Sequence, residues 1–257
     1  MLRQKKVACI IPARLASTRF PEKVLQLLAG KPMLQWVWEG AAAVPMFDEC
    51  HFAIDDVKTA SLLDSFGASW LMTSPTAASG TDRLVEIMER GLISADIWVN
   101  WQGDEPFINE SMIRDLLQTA ATDINVDCWT LKKKIQEISQ IKSPNVAKVV
   151  SDKVGNAIYF SRSPIPFYRD EDLERCEFYK HVGIYAFSTM GLKKISGMGK
   201  SYLEDAEKLE LLRFLEHGFK IRLHETAYEV KGIDTPGDLA QAEKYVQTRN
   251  ISVCNSA

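Results

Sequence analysis

The stretch Asn100-Trp101-Gln102-Gly103-Asp104-Glu105-Pro106 constrains the fold more than any other part of this chain. It follows Asp96-Ile97-Trp98-Val99, an apolar, β-branched and aromatic run with the length of a buried strand. Glu105-Pro106 ends that strand, and Asn109 is placed to cap a helix running to about residue 121. A buried strand thus delivers Asp104 to a sheet edge, where open α/β sheets bind ligands. A carboxylate there is an oxygen donor for a hard cation such as Mg²⁺, which usually arrives with substrate phosphates. On local grounds alone, Asp104 and Glu105 also read as solvated strand-end residues.

The chain before this point repeats one pattern. Val7-Ala8-Cys9-Ile10-Ile11 is a continuous apolar run, the mark of a strand buried on both faces. Helix signals then alternate with strand signals. Gly30-Lys31-Pro32 opens a helix whose apolar stripe is Leu34, Val37 and Trp38. Cys50-His51-Phe52-Ala53-Ile54 is a strand ending at Asp55-Asp56, followed by a helix over 57–66, and Ser69-Trp70-Leu71-Met72 is a third strand. Gly80-Thr81-Asp82-Arg83 opens a helix to about residue 90. This alternation predicts βαβ units and a mostly parallel sheet.

Between the first strand and its helix lies Pro12-Ala13-Arg14-Leu15-Ala16-Ser17-Thr18-Arg19-Phe20-Pro21-Glu22-Lys23. Two forked guanidinium groups, an ammonium and two hydroxyls directly after a buried strand suit a polyphosphate, although a basic surface loop would read the same way. It is not a Walker loop, because the Gly-rich pattern and the Lys-Ser/Thr ending are absent. Arg83 has two readings, a ligand contact or a pair with a neighbouring acid.

After residue 121 the pattern changes. Strand candidates at 126–131, 145–150 and 157–160 follow, the last two joined by a turn over 152–156 as an antiparallel pair. The prolines of Ser161-Arg162-Ser163-Pro164-Ile165-Pro166 force a loop. The charged segment 169–177 is expected to be mobile. In the strand 180–187, Val182, Ile184 and Ala186 face the core, while His181, Gly183 and Tyr185 share the other face. A helix over 206–217 carries Leu209, Leu212 and Phe214 inward, 221–225 is the last strand, and Pro236 begins the terminal helix. Asp234 is there either as that helix's N-cap or as a second carboxylate at a turn.

A chain of 257 residues with net charge −3 carries no basic field to attract nucleic acid or an anionic membrane, so any anion site must be local. No apolar run approaches the roughly 20 residues that span a bilayer. Met1 to Lys6 leads into a strand rather than a signal h-region. The five scattered cysteines show no CxxC spacing, which argues against a disulfide framework or zinc and for a reducing cytoplasm.

In order, these residues resemble the CMP-Kdo synthetase (3-deoxy-manno-octulosonate cytidylyltransferase) family. The matching motifs are Pro12-Ala13-Arg14 through Ser17, Arg19, Pro21 and Lys23; Gly30-Lys31-Pro32-Met33; Ser79-Gly80-Thr81-Asp82-Arg83; Gln102-Gly103-Asp104-Glu105-Pro106; Pro144-Asn145-Val146; Tyr159-Phe160-Ser161-Arg162-Ser163-Pro164-Ile165-Pro166; Lys180-His181-Val182-Gly183-Ile184-Tyr185; and Asp234-Thr235-Pro236. The resemblance implies a Rossmann-like, mixed, mostly parallel sheet of the nucleotide-sugar transferase type. It implies a single domain over 1–257, with a small antiparallel dimerisation and sugar-binding subdomain within 126–190, and a homodimer. It also implies a reaction: CTP and Kdo, an acidic 3-deoxy sugar, give CMP-Kdo and pyrophosphate for lipopolysaccharide synthesis. Mg²⁺ would be held by Asp104 and Asp234. Catalysis would rest on these two with Arg14 and Lys23. CTP would meet Arg14, Ser17, Arg19, Lys23, Ser79, Asp82, Arg83 and Gln102, and the sugar Arg162, His181, Tyr185 and Glu210.

Three positions depart from the family: Glu22 stands where it has Gly, Val24 where it has Pro, and Leu211 where it has Gln. Glu22 motivates an alternative, a non-catalytic nucleotide-binding homologue, because a carboxylate beside Lys23 opposes a triphosphate unless it points away. Leu211 motivates another, a cytidylyltransferase for a different ulosonic acid such as an amino-Kdo, unless the side chain faces the core instead of the sugar.

Overall fold

The computed structural model describes residues 5–17, 19–169, 177–230 and 232–248. The charged segment expected to be mobile lies almost wholly outside them, as do Thr18, Cys176 and Cys254. The chain begins with β1 (Val7–Ala13), a 3₁₀ turn (Lys23–Leu25), β2 (Leu27–Leu28), β3 (Lys31–Pro32), α1 (Met33–Ala42), β4 (Glu49–Ile54), α2 (Val57–Asp64), β5 (Trp70–Met72) and α3 (Gly80–Glu89). It continues with β6 (Ile97–Asn100), α4 (Glu110–Leu116), β7 (Cys128–Lys134), α5 (Ile138–Lys142), β8 (Lys148–Ser151), β9 (Ala157–Ser161), β10 (Tyr179–Ser188), α6 (Thr189–Ile195), α7 (Tyr202–Glu207), α8 (Glu210–Glu216), β11 (Ile221–Glu225) and α9 (Pro236–Thr248). These elements group into two compact units.

The first unit comprises Lys6–Ser94, Asn100–Glu110 and Val230–Ala257. Its β1, β4 and β5 pair in parallel, as the βαβ alternation requires. Every residue of β1 is buried, which explains its unbroken apolar sequence. The main chain after β6 continues alongside β1: Trp101 N–H donates to Ile10 O and Gly103 N–H to Pro12 O. At Gly103 a side chain is excluded, because a Cβ would lie 2.9 Å from the Pro12 carbonyl oxygen. Asp104 is therefore carried to the end of β1 by main-chain bonds that depend on a glycine. A second cluster, of Leu28, Met33, Trp36, Ile233, Ala242 and Val246, seats the terminal helix and packs against Phe20 of the cationic loop.

The second unit comprises Ala95–Val99 and Ser111–Glu229, together with the first five residues. Here β7 pairs antiparallel with β10 and parallel with β11, while β8 pairs antiparallel with both β9 and β10. The expected 152–156 turn closes the β8–β9 hairpin, with Asp152 accepting from the Val154 and Asn156 amides. Along β10, Val182, Ile184 and Ala186 are buried as alternation predicts. The expected α/β class with parallel strands and a small antiparallel part is the observed one.

Three local readings change. The helix expected over 206–217 is two helices, because Ser201 and Glu204 form a capping box that starts α7 early and Lys208 adopts φ 53°, which ends it. The helix expected to reach residue 121 stops at Leu116, and the chain then runs through tight turns. In α1 the stripe is Met33, Leu34, Trp36, Val37 and Ala41, with Trp38 only half-buried.

Candidate functional site

The first unit gathers the cationic loop, the start of α3 and the Gln102–Asp104 turn around a cavity of about 190 Å³. Arg14, Ser17, Arg19, Lys23, Ser79, Arg83, Gln102 and Asp104, eight residues expected from sequence to serve catalysis or CTP, all line it. Among these side chains is the Lys23 ammonium. It donates to Asp104 Oδ2 and, at 2.7 Å, to Asp234 Oδ1. Arg19 Nη2 meets the same Asp234 oxygen at 2.9 Å. Two carboxylates separated by 130 positions in sequence therefore converge on one cation.

Burial pulls the Lys23 pKa down, but Asp104 and Asp234 more than offset it, so the ammonium is held above its ordinary value. Burial pushes the Asp234 carboxyl up, and Lys23 and Arg19 outweigh it to hold the group below the usual carboxylate range. Glu105 goes the other way. Burial, then the negative charges of Asp104 and Asp234, raise it well above the usual range, and its Oε2 has no hydrogen-bond partner among the described residues.

The reading of Asp234 as an N-cap does not hold. Thr235 caps α9 instead: its Oγ1 accepts from the Asp238 amide, and Asp238 accepts from Thr235 N in return. The Asp234 carboxylate is left for the cations. Ser79 and Asp82, expected near ribose and cytosine, form the capping box of α3. Arg83 takes the second of its two readings: at 1% exposure its guanidinium meets Asp55 at 2.8 Å and also bonds Thr73 and the Ser74 carbonyl. Asp55 also accepts from the Leu15 amide at 3.0 Å, so this buried pair braces the cationic loop. Sequence reading noted Asp55 only as a strand end. The one available signal was a strand-terminal acid opposite an arginine at a helix start.

Glu22 has φ 50° and ψ 33°, the left-handed conformation for which glycine is suited. Its carboxylate points to the exposed Lys58 ammonium of α2 at 2.8 Å. The family's glycine thus has a backbone reason, and the acid here is drawn to Lys58. Glu22→Gly should relieve about 1 kcal/mol of backbone strain and leave activity equal or higher. Thermal melting and turnover check this; a sharp loss of activity would give Glu22 a positive role. Val24 is buried at 3% within the 3₁₀ turn.

The residues expected at the sugar lie in the second unit. His181 and Tyr185 pack with their rings tilted by 34° and centroids 5.5 Å apart, and Thr130 Oγ1 lies 2.9 Å from His181 Nε2. Burial holds the His181 pKa at about 4, so the ring is neutral near pH 7. Arg162 donates to the carbonyl oxygens of Glu207, Pro144 and Lys208, which makes it a clamp between loops. Glu210 begins α8 and accepts from Arg213 at 2.8 Å. Leu211 is 3% exposed, beside the fully buried Leu212. The core-facing reading of Leu211 is the observed one, and the motive for a different sugar falls with it. Leu211→Gln should bury an unpaired amide, costing about 1–3 kcal/mol. A lowered melting temperature with unchanged sugar selectivity is the expected result.

Mg²⁺ suits this donor set. Among the described residues no group of three or more His, Cys, Asp and Glu gathers as a metal cage. Mg²⁺ characteristically binds through one or two carboxylates, with water and phosphate oxygens completing its shell. Asp104 and Asp234, brought to a single ammonium, are such a pair.

The fold and the cation-lined cavity define a nucleotide-transfer class, and a family profile described as cytidylyltransferase matches residues 8–221. Curated relatives narrow it. The 3-deoxy-manno-octulosonate cytidylyltransferase of Geobacter metallireducens is 46% identical over 91% of this chain and 95% of its own length. That of Geobacter sulfurreducens is 47% identical over 91% and 96%. A solved structure of CMP:2-keto-3-deoxy-manno-octonic acid synthetase complexed with CTP superposes with a TM-score of 0.89 at 39% identity, covering 95% of this chain and 99% of that one. The chain belongs to the 3-deoxy-manno-octulosonate cytidylyltransferase family. The inositol-1-phosphate CTP transferase of T. maritima, at 12% identity and a TM-score of 0.64, shares the fold.

Proposed function

We propose that this chain transfers CMP from CTP to 3-deoxy-manno-octulosonate, releasing pyrophosphate. The observation that carries the proposal is the convergence of Asp104 and Asp234 on Lys23, with Arg14, Ser17 and Arg19 around the same cavity. A non-catalytic homologue would have no need to keep this triad together, and Glu22, its motive, is drawn to Lys58.

The anomeric hydroxyl of the sugar attacks the α-phosphorus in line, forming a P–O bond as the α–β anhydride breaks and pyrophosphate departs. Such transfer needs little from the protein beyond positioning and charge neutralisation. Arg14 and Arg19 orient the triphosphate, and Lys23 neutralises the charge growing on the leaving pyrophosphate. Asp104 and Asp234 would hold Mg²⁺, which when bound supplies positive charge to the α-phosphate and acidifies the attacking hydroxyl. His181, Tyr185, Arg162 and Glu210 are the proposed sugar contacts. For Arg162, carboxylate binding would use the guanidinium donors left over from its three carbonyl bonds.

The antiparallel segment within 126–190 is proposed as the dimerisation surface of a homodimer, and the cytoplasm as the compartment, in a route to lipopolysaccharide. Among the described residues no helix is long and apolar enough to cross a membrane. Pyrophosphate release with CTP, Mg²⁺ and Kdo tests the function. Release that requires all three is expected, and a protein that binds CTP yet releases nothing with Kdo would overturn it.

A further inference from the structure

We infer that Asn100 is a positioning residue that sets which nucleotide the cavity accepts, by fixing the amide of Gln102. The inference rests on the reading of this cavity as the CTP site.

The cavity lining falls into two groups. Arg19, Lys23 and Asp104 belong to the ion-paired cluster with Asp234, which suits the triphosphate. The rest includes Arg14, Ser17 and Arg83 together with Ser79, Gly80 and Gln102, the last three being left for the nucleoside. In this second group the Gln102 side chain is gripped from two sides. Its Nε2 donates to Asn100 Oδ1 at 2.8 Å. Asn100, 1% exposed at the end of β6, in turn donates from Nδ2 to Thr81 Oγ1 at 3.4 Å. On the other side the amide lies against Gly80, where a Cβ would come within 2.9 Å of Nε2 and 3.1 Å of Oε1.

This arrangement assigns the amide's two ends. One N–H of the amino end is committed to Asn100, which fixes the amide plane, and Oε1 at the other end is an acceptor for a ligand. With Asn100 oriented by its bond to Thr81, turning the Gln102 amide over would set Oε1 against Asn100 Oδ1, two acceptors face to face. Gln102 therefore offers the nucleoside an acceptor, and the group it selects is a hydrogen-bond donor. CTP has two such groups where close analogues differ: the exocyclic amino group of cytosine, replaced by a carbonyl in UTP, and the ribose 2′-hydroxyl, missing in dCTP. A site built to hydrogen-bond a group discriminates against its absence, because the polar partner is then left unpaired. Asn100 itself need not touch the nucleotide. It acts through the orientation of Gln102.

The test measures affinities of the full chain for CTP, UTP, dCTP and pyrophosphate in the presence of Mg²⁺. In Asn100→Ala, preference for CTP over one analogue should fall about tenfold, with pyrophosphate affinity unchanged. A fall in the UTP arm places the base amino group at Gln102; a fall in the dCTP arm places the ribose hydroxyl there. Asn100→Asp keeps an acceptor for Nε2, so it should keep the preference even if its charge weakens all nucleotides together. Gly80→Ala should repeat the loss of preference without altering Asn100, and it decides the matter if Asn100→Ala does not fold. Unchanged CTP/UTP and CTP/dCTP ratios in folded Asn100→Ala or in Gly80→Ala would overturn the inference, as would a parent chain with no preference in either arm. These are binding readouts, so failure of the Kdo reaction would leave them interpretable.

Discussion

Asp104→Asn should lower turnover about 1,000-fold while the protein still melts cooperatively near its normal temperature. The substitution keeps size and shape but removes the negative charge. The turn that carries residue 104 is held by the main chain: Gly103 N–H on Pro12 O, Glu105 N–H on Gln102 O, and Ile233 N–H on Asp104 O. None of these bonds uses the carboxylate, so the fold survives. Lys23 also keeps Asp234 as a partner. What is lost is one of the two charged oxygen donors proposed for Mg²⁺. A cation that stabilises transferring phosphate contributes several kcal/mol, and about 4 kcal/mol corresponds to about 1,000-fold. Asp234→Asn should behave alike, with one difference: it also removes the partner of Arg19. Pyrophosphate release at saturating Mg²⁺, measured beside thermal melting, checks both. Near-normal turnover in either variant would remove that residue from the metal site.

Lys23→Ala should lower kcat by about 100-fold or more and raise KM for CTP far less. Removing one preorganised donor from a developing charge commonly costs 10²–10³ in kcat. The negative charge on departing pyrophosphate grows along the reaction, so a cation placed there binds the transition state better than the ground state. Asp104 and Asp234 hold the Lys23 pKa above its ordinary value, so it is charged throughout the working pH range. The sign follows from that direction: this ammonium's contribution to stability is fully present below the unfolded-state lysine pKa and is lost only as pH rises through the higher folded value. Activity should therefore show no limb from Lys23 between pH 6 and 9. An effect of Lys23→Ala confined to KM would make Lys23 a ground-state anchor only.

Much of this molecule is legible in its sequence, where the signal is local. The unbroken apolar run of β1, the alternation through α3 and the strand stop at Glu105-Pro106 predict parallel βαβ units, and β1, β4 and β5 form them. Period-two alternation correctly sorts β10 into a buried face and a His181–Tyr185 face. Local chemistry also placed the cations just after one buried strand and Asp104 just after another. It could not decide which of two sound readings a polar group takes, because that choice depends on partners far away in the chain. Asp55, 28 positions from Arg83, pairs with it and makes it a buried brace at the cavity wall. Asp238 makes Thr235 the cap of α9 and leaves Asp234 to Lys23 and Arg19. A φ of 50° explains why glycine suits position 22, and Lys58 shows where Glu22 goes instead. Leu211 faces the core together with the expected Leu212 and Phe214, on a helix that starts only after Lys208. Sequence by itself determined the elements and the residue types at the sheet edge, since propensity and burial pattern act over a few residues. Only the tertiary structure decided which charges meet, since an ion pair is set by distance in space.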